Sequence, residues 1–281
     1  MTTFRKIIKS AKGQPTVDGA GVKLVRVLGH DTVYDFDPIL MLDSFDSTNP
    51  EDYTAGFPTH PHRGIETISY IYRGAMTHKD SLGNQDTVKD GEVQWMTAGS
   101  GILHEEKLPA TKRMLGVQLW LNMAAKDKMS PPAYHSIKAS EVEEIKIKDG
   151  KLRLLAGEYE GHKGYAGKFL PLDYYDIHLI PNGSLTIQTR PDSSVMLFTL
   201  SGDARIAGEL VKEKTAVKLG AGDQVELKST TQSAQILFVS STKLDETIVW
   251  GGPIVMNTKT ELDKAFEDLK HGTFLRSKID Y

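Results

Sequence analysis

The chain has 281 residues, a formal net charge of −3 at pH 7 and no cysteine. Its acidic and basic residues are interspersed, so neither direct nucleic-acid binding nor an acidic disordered arm is expected. The lack of cysteine excludes disulfides, thiolate nucleophiles and cysteine-ligated zinc. No apolar stretch is long enough for a signal peptide or a membrane span. We therefore expect a cytoplasmic protein that does not associate with a membrane. In a eukaryote, a nuclear location would fit as well.

Most of the chain has the pattern of short β-strands separated by turns. The candidate segments are rich in β-branched and aromatic residues and are bounded by Gly, Pro, Asn or Asp, which is typical of strands. In chain order they are residues 21–29, 66–74, 92–99, 115–123, 174–180, 184–190, 195–206 and 233–241. The pattern predicts an all-β fold.

A linker and one helix complete the predicted elements. The polar segment 126–140 carries two consecutive prolines and is the best linker candidate. We therefore expect two domains, residues 1–130 and 131–281. A helix is expected only between Glu261 and Gly272, where apolar residues recur at helical spacing. These residues are Leu262, Ala265, Phe266 and Leu269.

An internal repeat indicates that the two domains share one plan. Residues 60–74 align without gaps with residues 188–202, with coinciding apolar positions and a final glycine in each copy. Further along, each copy has a Gly-acid pair ahead of another strand, at Gly91 and at Gly222. Runs of strands with few helices favour two β domains in tandem.

Two pairs of ligand-capable residues lie in predicted strands of the first copy. His60 and His62 form one pair, and His104 and Glu106 form the other. Side chains at i and i+2 of a strand point to the same face, so neighbouring strands would bring all four together. Three imidazoles and one carboxylate suit a transition metal such as iron better than calcium or magnesium.

Several alternatives stay open on pattern alone. A single H-x-H motif is most often a pair of surface or turn histidines, and Glu66 is a rival ligand because it shares the parity of His62. Ser100 resembles a nucleophile turn but lacks the G-x-S-x-G spacing. The other histidines have no partner at ligand spacing and are interpreted as structural. They are His30, His78, His135, His162, His178 and His271.

The second copy has a different set of residues at the corresponding places. Gln188, Arg190 and Ser194 match His60, His62 and Glu66 in the ungapped alignment, and Gln235 and Leu237 lie near the positions of His104 and Glu106. That set cannot hold a metal ion. We expect metal binding in the first domain alone.

Long motifs of the chain resemble those of the pirin family of the cupin superfamily. They are HPHRGIETISYIYRG (60–74), QWMTAGSGILHEE (94–106), GVQLWLNM (116–123), PILMLDSF (38–45) and GGPIVMNTKTELDKAF (251–266). The resemblance implies a bicupin, in which two tandem antiparallel β-barrels of jelly-roll type are followed by a short C-terminal helix that packs back on the body. It also implies one divalent metal ion per chain, iron(II) or another transition metal, with His60, His62, His104 and Glu106 as ligands.

The resemblance implies two classes of function. Similar proteins cleave the ring of flavonols such as quercetin with dioxygen, in which case Glu106 is expected to be the catalytic base. Other pirins are metal-dependent regulators that bind a transcription factor or a metabolic enzyme. We expect an iron-dependent quercetin 2,3-dioxygenase-type enzyme that acts on a small aromatic substrate with dioxygen. The alternative is a metal-dependent regulator with a protein partner.

Overall fold

The computed structural model of the chain describes residues 2–276. The strands of the first half are β1 (Ile7–Lys12), β2 (Gln14–Asp18), β3 (Val22–Leu28), β4 (Ile39–Ser47), β5 (Phe57–His62), β6 (Ile65–Arg73), β7 (Ala75–Asp80), β8 (Gln85–Lys89), β9 (Glu92–Thr97), β10 (Ile102–Lys107) and β11 (Met114–Asn122). Short 3-10 turns lie at His30–Thr32 and Pro50–Asp52.

The second half continues the β structure. Its strands are β12 (Ala133–Ile137), β13 (Glu143–Ile147), β14 (Gly150–Ala156), β15 (Glu158–Tyr159), β16 (His162–Lys163), β17 (Leu172–Leu179), β18 (Ser184–Gln188), β19 (Ser194–Ser201), β20 (Ala204–Ile206), β21 (Glu209–Val211), β22 (Thr215–Leu219), β23 (Gln224–Ser229), β24 (Ala234–Ser241), β25 (Val249–Gly251) and β26 (Ile254–Met256). One α-helix, α1 (Lys259–Lys270), follows them within the described residues. The predicted all-β class with a short C-terminal helix is confirmed.

The chain forms two compact units, each assembled from separate stretches of sequence. Unit 1 contains the residues up to Gln14, Tyr34–Pro38 and Ser140–Lys243. Unit 2 contains Pro15–Val33, Ile39–Ala139 and the residues from Leu244 onward. The helix α1 thus belongs to the unit that carries the candidate histidines. The division at residues 130 and 131 stays a prediction.

The two units have the same strand order. Unit 2 has a seven-stranded sheet in the order β12-β9-β6-β11-β4-β3-β2 and a four-stranded sheet in the order β5-β10-β7-β8. Unit 1 has β1-β22-β19-β24-β17-β14-β13 and β18-β23-β20-β21. Each strand of these two sheets in one unit therefore has a counterpart in the other. The repeat seen in the sequence is a repeat of both sheets.

Part of the sequence alignment between the repeats is wrong. The strands β6 and β19 correspond as expected, but β10 corresponds to β23, whereas Gln235 and Leu237 lie on β24, the counterpart of β11. Likewise, Gly222 precedes β23 rather than the counterpart of β9. The alignment slips because the hairpin β20–β21 has shorter strands than β7–β8. The residue paired with Gln188, as His104 is paired with His60, is Gln224.

The predicted linker is also wrong in part. Residues 133–137 form β12, which pairs with β9 as the edge strand of the unit 2 sheet. The corresponding edge position in unit 1 is taken by β1, from the start of the chain. The prolines that suggested a linker lie immediately before β12, where a missing backbone N–H removes no bond of the sheet.

The helix α1 lies close to the predicted place and has a well-formed start. The hydroxyl of Thr258 accepts a bond from the backbone N–H of Glu261, and the carboxylate of Glu261 accepts a bond from the backbone N–H of Thr258. This reciprocal capping box satisfies two backbone donors of the first turn. The buried side chain of Ala265 faces the apolar cluster that contains Ile254 and Met256. No helix among the described residues is long and apolar enough to cross a membrane.

The loop after the histidine pair leaves no room for a side chain at Gly64. Its φ is +79°, and a Cβ atom would lie 2.0 Å from the carbonyl oxygen of Val255. We expect Gly64→Ala to lower the free energy of unfolding by about 3 kcal/mol or more, because backbone must move to relieve the overlap. Urea unfolding measures this difference.

The matched control for this prediction is Gly83→Ala. Gly83 has a similar φ of +81°, but nothing lies within 4 Å of an added Cβ atom. Its cost is expected to be about 1–2 kcal/mol, the cost of a left-handed conformation alone. Equal losses in the two variants would contradict the steric explanation.

Candidate metal centre

Three of the predicted ligands converge in unit 2. The strands β5 and β10 pair antiparallel, with His104 opposite His60 and Ile102 opposite His62. The ring nitrogens Nε2 of His60 and His62 are 3.0 Å apart, and the same distance separates the Nε2 atoms of His60 and His104. Within residues 2–276, these three histidines form the group whose ligand atoms all lie within 4.8 Å of one another.

The strand β5 can place His60 and His62 although it contains prolines, because it lies at the edge of its sheet. Its two prolines, Pro58 and Pro61, cannot donate a backbone hydrogen bond and are therefore tolerated at an edge. Pro61 separates His60 from His62, so both rings share one face. Of the four side chains expected to converge, the three histidines come together.

Backbone carbonyls fix which ring nitrogen of two histidines is free. The Nδ1–H of His60 donates to the carbonyl of Pro58 at 2.8 Å, and the Nδ1–H of His62 donates to that of Pro253 at 2.9 Å. In a neutral imidazole the other nitrogen then carries a lone pair. This is the usual outer support of metal-binding histidines, since it sets both the tautomer and the ring orientation.

Burial keeps the imidazoles of His62 and His104 neutral. It lowers the pKa of His62 to about 3, with a further contribution from the adjacent His60 ring. Burial and the neighbouring imidazoles also hold the pKa of His104 well below its ordinary value. Three converging imidazoles fit a divalent transition metal ion.

Glu106 lies on the same strand but does not join the three rings. The pairing of β10 with β5 shifts between His104 and Glu106, so the simple alternation is interrupted there. The buried carboxylate of Glu106 accepts bonds from the side-chain amides of Gln94 at 2.8 Å and Gln118 at 2.9 Å. Its role as fourth ligand stays a prediction.

Glu66, the rival ligand, is held elsewhere in the same unit. Its Oε1 accepts bonds from the indole of Trp95 at 3.1 Å and the hydroxyl of Thr97 at 2.6 Å. It lies on β6, between β9 and β11, and burial raises its pKa. Glu66 is therefore absent from the group formed by the three histidines.

A cavity of about 530 Å³ opens onto two of these histidines, His60 and His62. Its apolar side is aromatic: the rings of Trp120 and His62 meet edge to face at 4.9 Å, and Trp250 stacks on His30 at 3.9 Å. The volume is within the range of small-molecule sites, about 300–1,000 Å³. Flat indole faces suit a planar, apolar ring system.

The opposite side of the cavity is polar. The guanidinium of Arg26 donates two bonds to Asp43, at 2.9 and 2.7 Å, and one to Asp18 at 2.6 Å. These bonds raise the pKa of Arg26, although its burial opposes them. The paired charges hold the wall rigid and present carboxylate oxygens where a hydroxylated ligand could donate.

Several contributors to the site were missed from the sequence. Gln94 and Gln118 contact Glu106, and Trp250 lines the cavity from the C-terminal segment. The two glutamines carried a usable signal, since each is a polar residue with apolar neighbours on both sides in its strand. Trp250 carried none, because only the tertiary structure brings β25 to the cavity.

Comparison with known proteins agrees with this architecture. The family model for pirin matches residues 21–121, and the model for the pirin C-terminal cupin domain matches residues 174–275. A Pseudomonas aeruginosa protein named "Putative quercetin 2,3-dioxygenase" is 38% identical over 97% of this chain and 99% of its own. A Caulobacter vibrioides protein named "Pirin-like protein" is 38% identical over 96% of this chain and 99% of its own.

A solved structure shares both the fold and the sequence. The crystal structure of a quercetin 2,3-dioxygenase from Acinetobacter baumannii is 32% identical, with a TM-score of 0.89 over 97% of this chain and 99% of that one. Two β units of one plan, one of them with a histidine cluster on paired strands, define a bicupin. The chain belongs to the pirin family.

Proposed function

We propose that the protein is an iron-dependent oxygenase of the quercetin 2,3-dioxygenase type, which cleaves the central ring of a flavonol. The observation that carries this proposal is the convergence of three imidazoles beside a cavity with an aromatic wall. The names of the relatives support the same reaction class. A cytoplasmic location stays a prediction.

We propose that one divalent ion is bound by His60, His62, His104 and Glu106. The amides of Gln94 and Gln118 would fix the orientation of the Glu106 carboxylate, because both of its oxygens already accept bonds from them. When bound, the ion supplies Lewis acidity at the 3-hydroxyl and 4-carbonyl edge of the substrate.

The protein's own residues would bind and prepare the flavonol. Trp120 and Trp250 line the cavity and would orient the flat ring system. Glu106 would accept the proton of the 3-hydroxyl group. Its carboxylate is bonded to Gln118, and Gln118 lines the cavity. Both atoms of dioxygen would remain in the ester product, and carbon 3 would leave with its oxygen as carbon monoxide.

The direct test uses purified protein loaded with iron(II) and quercetin in air-saturated buffer. We expect loss of flavonol absorbance together with an equal amount of carbon monoxide. Protein stripped with a chelator is the control, and it should show neither change. If fully metal-loaded protein leaves quercetin intact, the proposed enzymatic function is contradicted. That result would favour a regulator that binds another protein.

A further inference from the structure

A second pair of buried polar residues lies behind the histidine cluster. His78 and Asp80 are on β7, which pairs with β10 so that Asp80 is opposite His104 and His78 is opposite Glu106. The two side chains are 0 and 1% exposed. The ring of His78 also stacks on Tyr134, with the centroids 4.3 Å apart.

The contacts define one direction of hydrogen-bond donation, from His104 through His78 to Asp80. The carboxylate of Asp80 accepts the Nε2–H of His78 at 2.8 Å, which leaves a lone pair on Nδ1 of that ring. This nitrogen faces Nδ1 of His104 at 3.4 Å, so it is placed to accept the Nδ1–H of His104. The Nε2 of His104, which faces His60, then keeps its lone pair.

The carboxylate at the end of this row is held in place. Its Oδ1 accepts bonds from the backbone N–H groups of Leu82 and Asn84, at 2.8 and 3.1 Å, and its Oδ2 accepts the side-chain amide of Asn84 at 3.0 Å. Burial alone would raise the pKa of Asp80, but the bonds from His78 and Asn84 outweigh it and the pKa is lowered. The imidazole of His78 therefore connects this fixed carboxylate to His104.

We propose that His78 and Asp80 are positioning residues that set the tautomer and the donor strength of His104 toward the metal ion. This inference rests on the metal centre of the proposed function. His60 and His62 are oriented by backbone carbonyls, a group that every residue supplies whatever its side chain. His104 is oriented by side chains instead, so its donor strength depends on residues that can be substituted.

The chain provides a matched control in unit 1. There His178 and Asp176 form another pair with a fully buried carboxylate and the same distance of 2.8 Å between Nε2 and Oδ2. The strand that carries them, β17, is the counterpart of β4, not of β7. Loss of the Asp176 charge should therefore affect folding and leave metal binding unchanged.

The experiment measures cobalt(II) binding by competition with a chromophoric chelator. We expect Asp80→Asn to weaken binding about 10–100-fold, the usual effect of removing an outer partner of a metal-binding histidine. The d–d absorption bands of bound cobalt(II) should also shift, which a purely structural role would not produce. Asp176→Asn should match the wild type in both measurements.

A second variant guards against a failure of Asp80→Asn to fold. His78→Phe keeps a flat ring against Tyr134 but removes both ring nitrogens, and it should weaken cobalt(II) binding to a similar degree. Folded variants with the affinity and the absorption bands of the wild type would overturn this inference. Wild-type protein that binds no cobalt(II) would overturn the metal centre itself, and this inference with it.

Discussion

Replacement of His62 by alanine is expected to abolish metal binding. Its Nε2 lies 3.0 Å from that of His60, and its other nitrogen is fixed by the carbonyl of Pro253. Loss of an outer partner alone costs about 10–100-fold in affinity, so loss of the ligand should cost more than about 100-fold. Elemental analysis of the purified His62→Ala protein should show metal content falling close to zero.

The control for this substitution is His178→Ala. His178 lies in unit 1, on β17, and has a carboxylate partner but no place in the histidine cluster. Its removal should leave metal content unchanged. Thermal unfolding of both variants separates a loss of ligand from a loss of fold. Normal metal content in folded His62→Ala protein would refute the assignment of the site.

Glu106→Gln is expected to lower the rate of flavonol cleavage by about 100- to 10,000-fold at saturating metal. This is the usual effect of removing a general base, because the glutamine amide cannot accept the proton of the 3-hydroxyl group. Metal binding should weaken as well, since the site then lacks its negative charge. Steady-state rates measured over a series of iron(II) concentrations separate the two effects.

Glu66→Gln is the matched control, because Glu66 is an equally buried carboxylate in the same unit. Its oxygen is held by Trp95 and Thr97, so the change should leave both metal content and rate nearly unaffected. If Glu66→Gln abolishes metal binding while Glu106→Gln does not, Glu66 is the fourth ligand. If saturating metal restores the rate of Glu106→Gln, then Glu106 is a ligand and not the base.

The strands and the helix could be predicted because their signals are local. β-branched and aromatic runs bounded by turn residues predicted β3, β6, β9 and β11, and apolar residues at helical spacing between Glu261 and Gly272 predicted α1. The repeat predicted that both halves share a plan, which the common strand order confirms. The ungapped alignment failed beyond β6, because a shorter hairpin changes the spacing without changing the topology.

The pairing of strands was beyond reach of the sequence. The edge strands β1 and β12 are each bound to a sheet by backbone hydrogen bonds, which leave little trace in the side chains. The residues around Glu106 were missed for a related reason. Gln94 and Gln118 lie on β9 and β11 of the seven-stranded sheet, whereas Glu106 lies on β10 of the four-stranded sheet, so the contacts form only when the two sheets pack together.

The sequence by itself determined the class of fold, the family and the three histidines that form the cluster. These depend on periodicity and on motifs, and an i, i+2 pair on a strand needs only the pleat to share a face. The tertiary structure alone decided the surroundings of those histidines: the carbonyl of Pro253, the His78–Asp80 pair and the indole of Trp250. Each comes from a different strand or segment, and long-range packing rather than local preference brings it there.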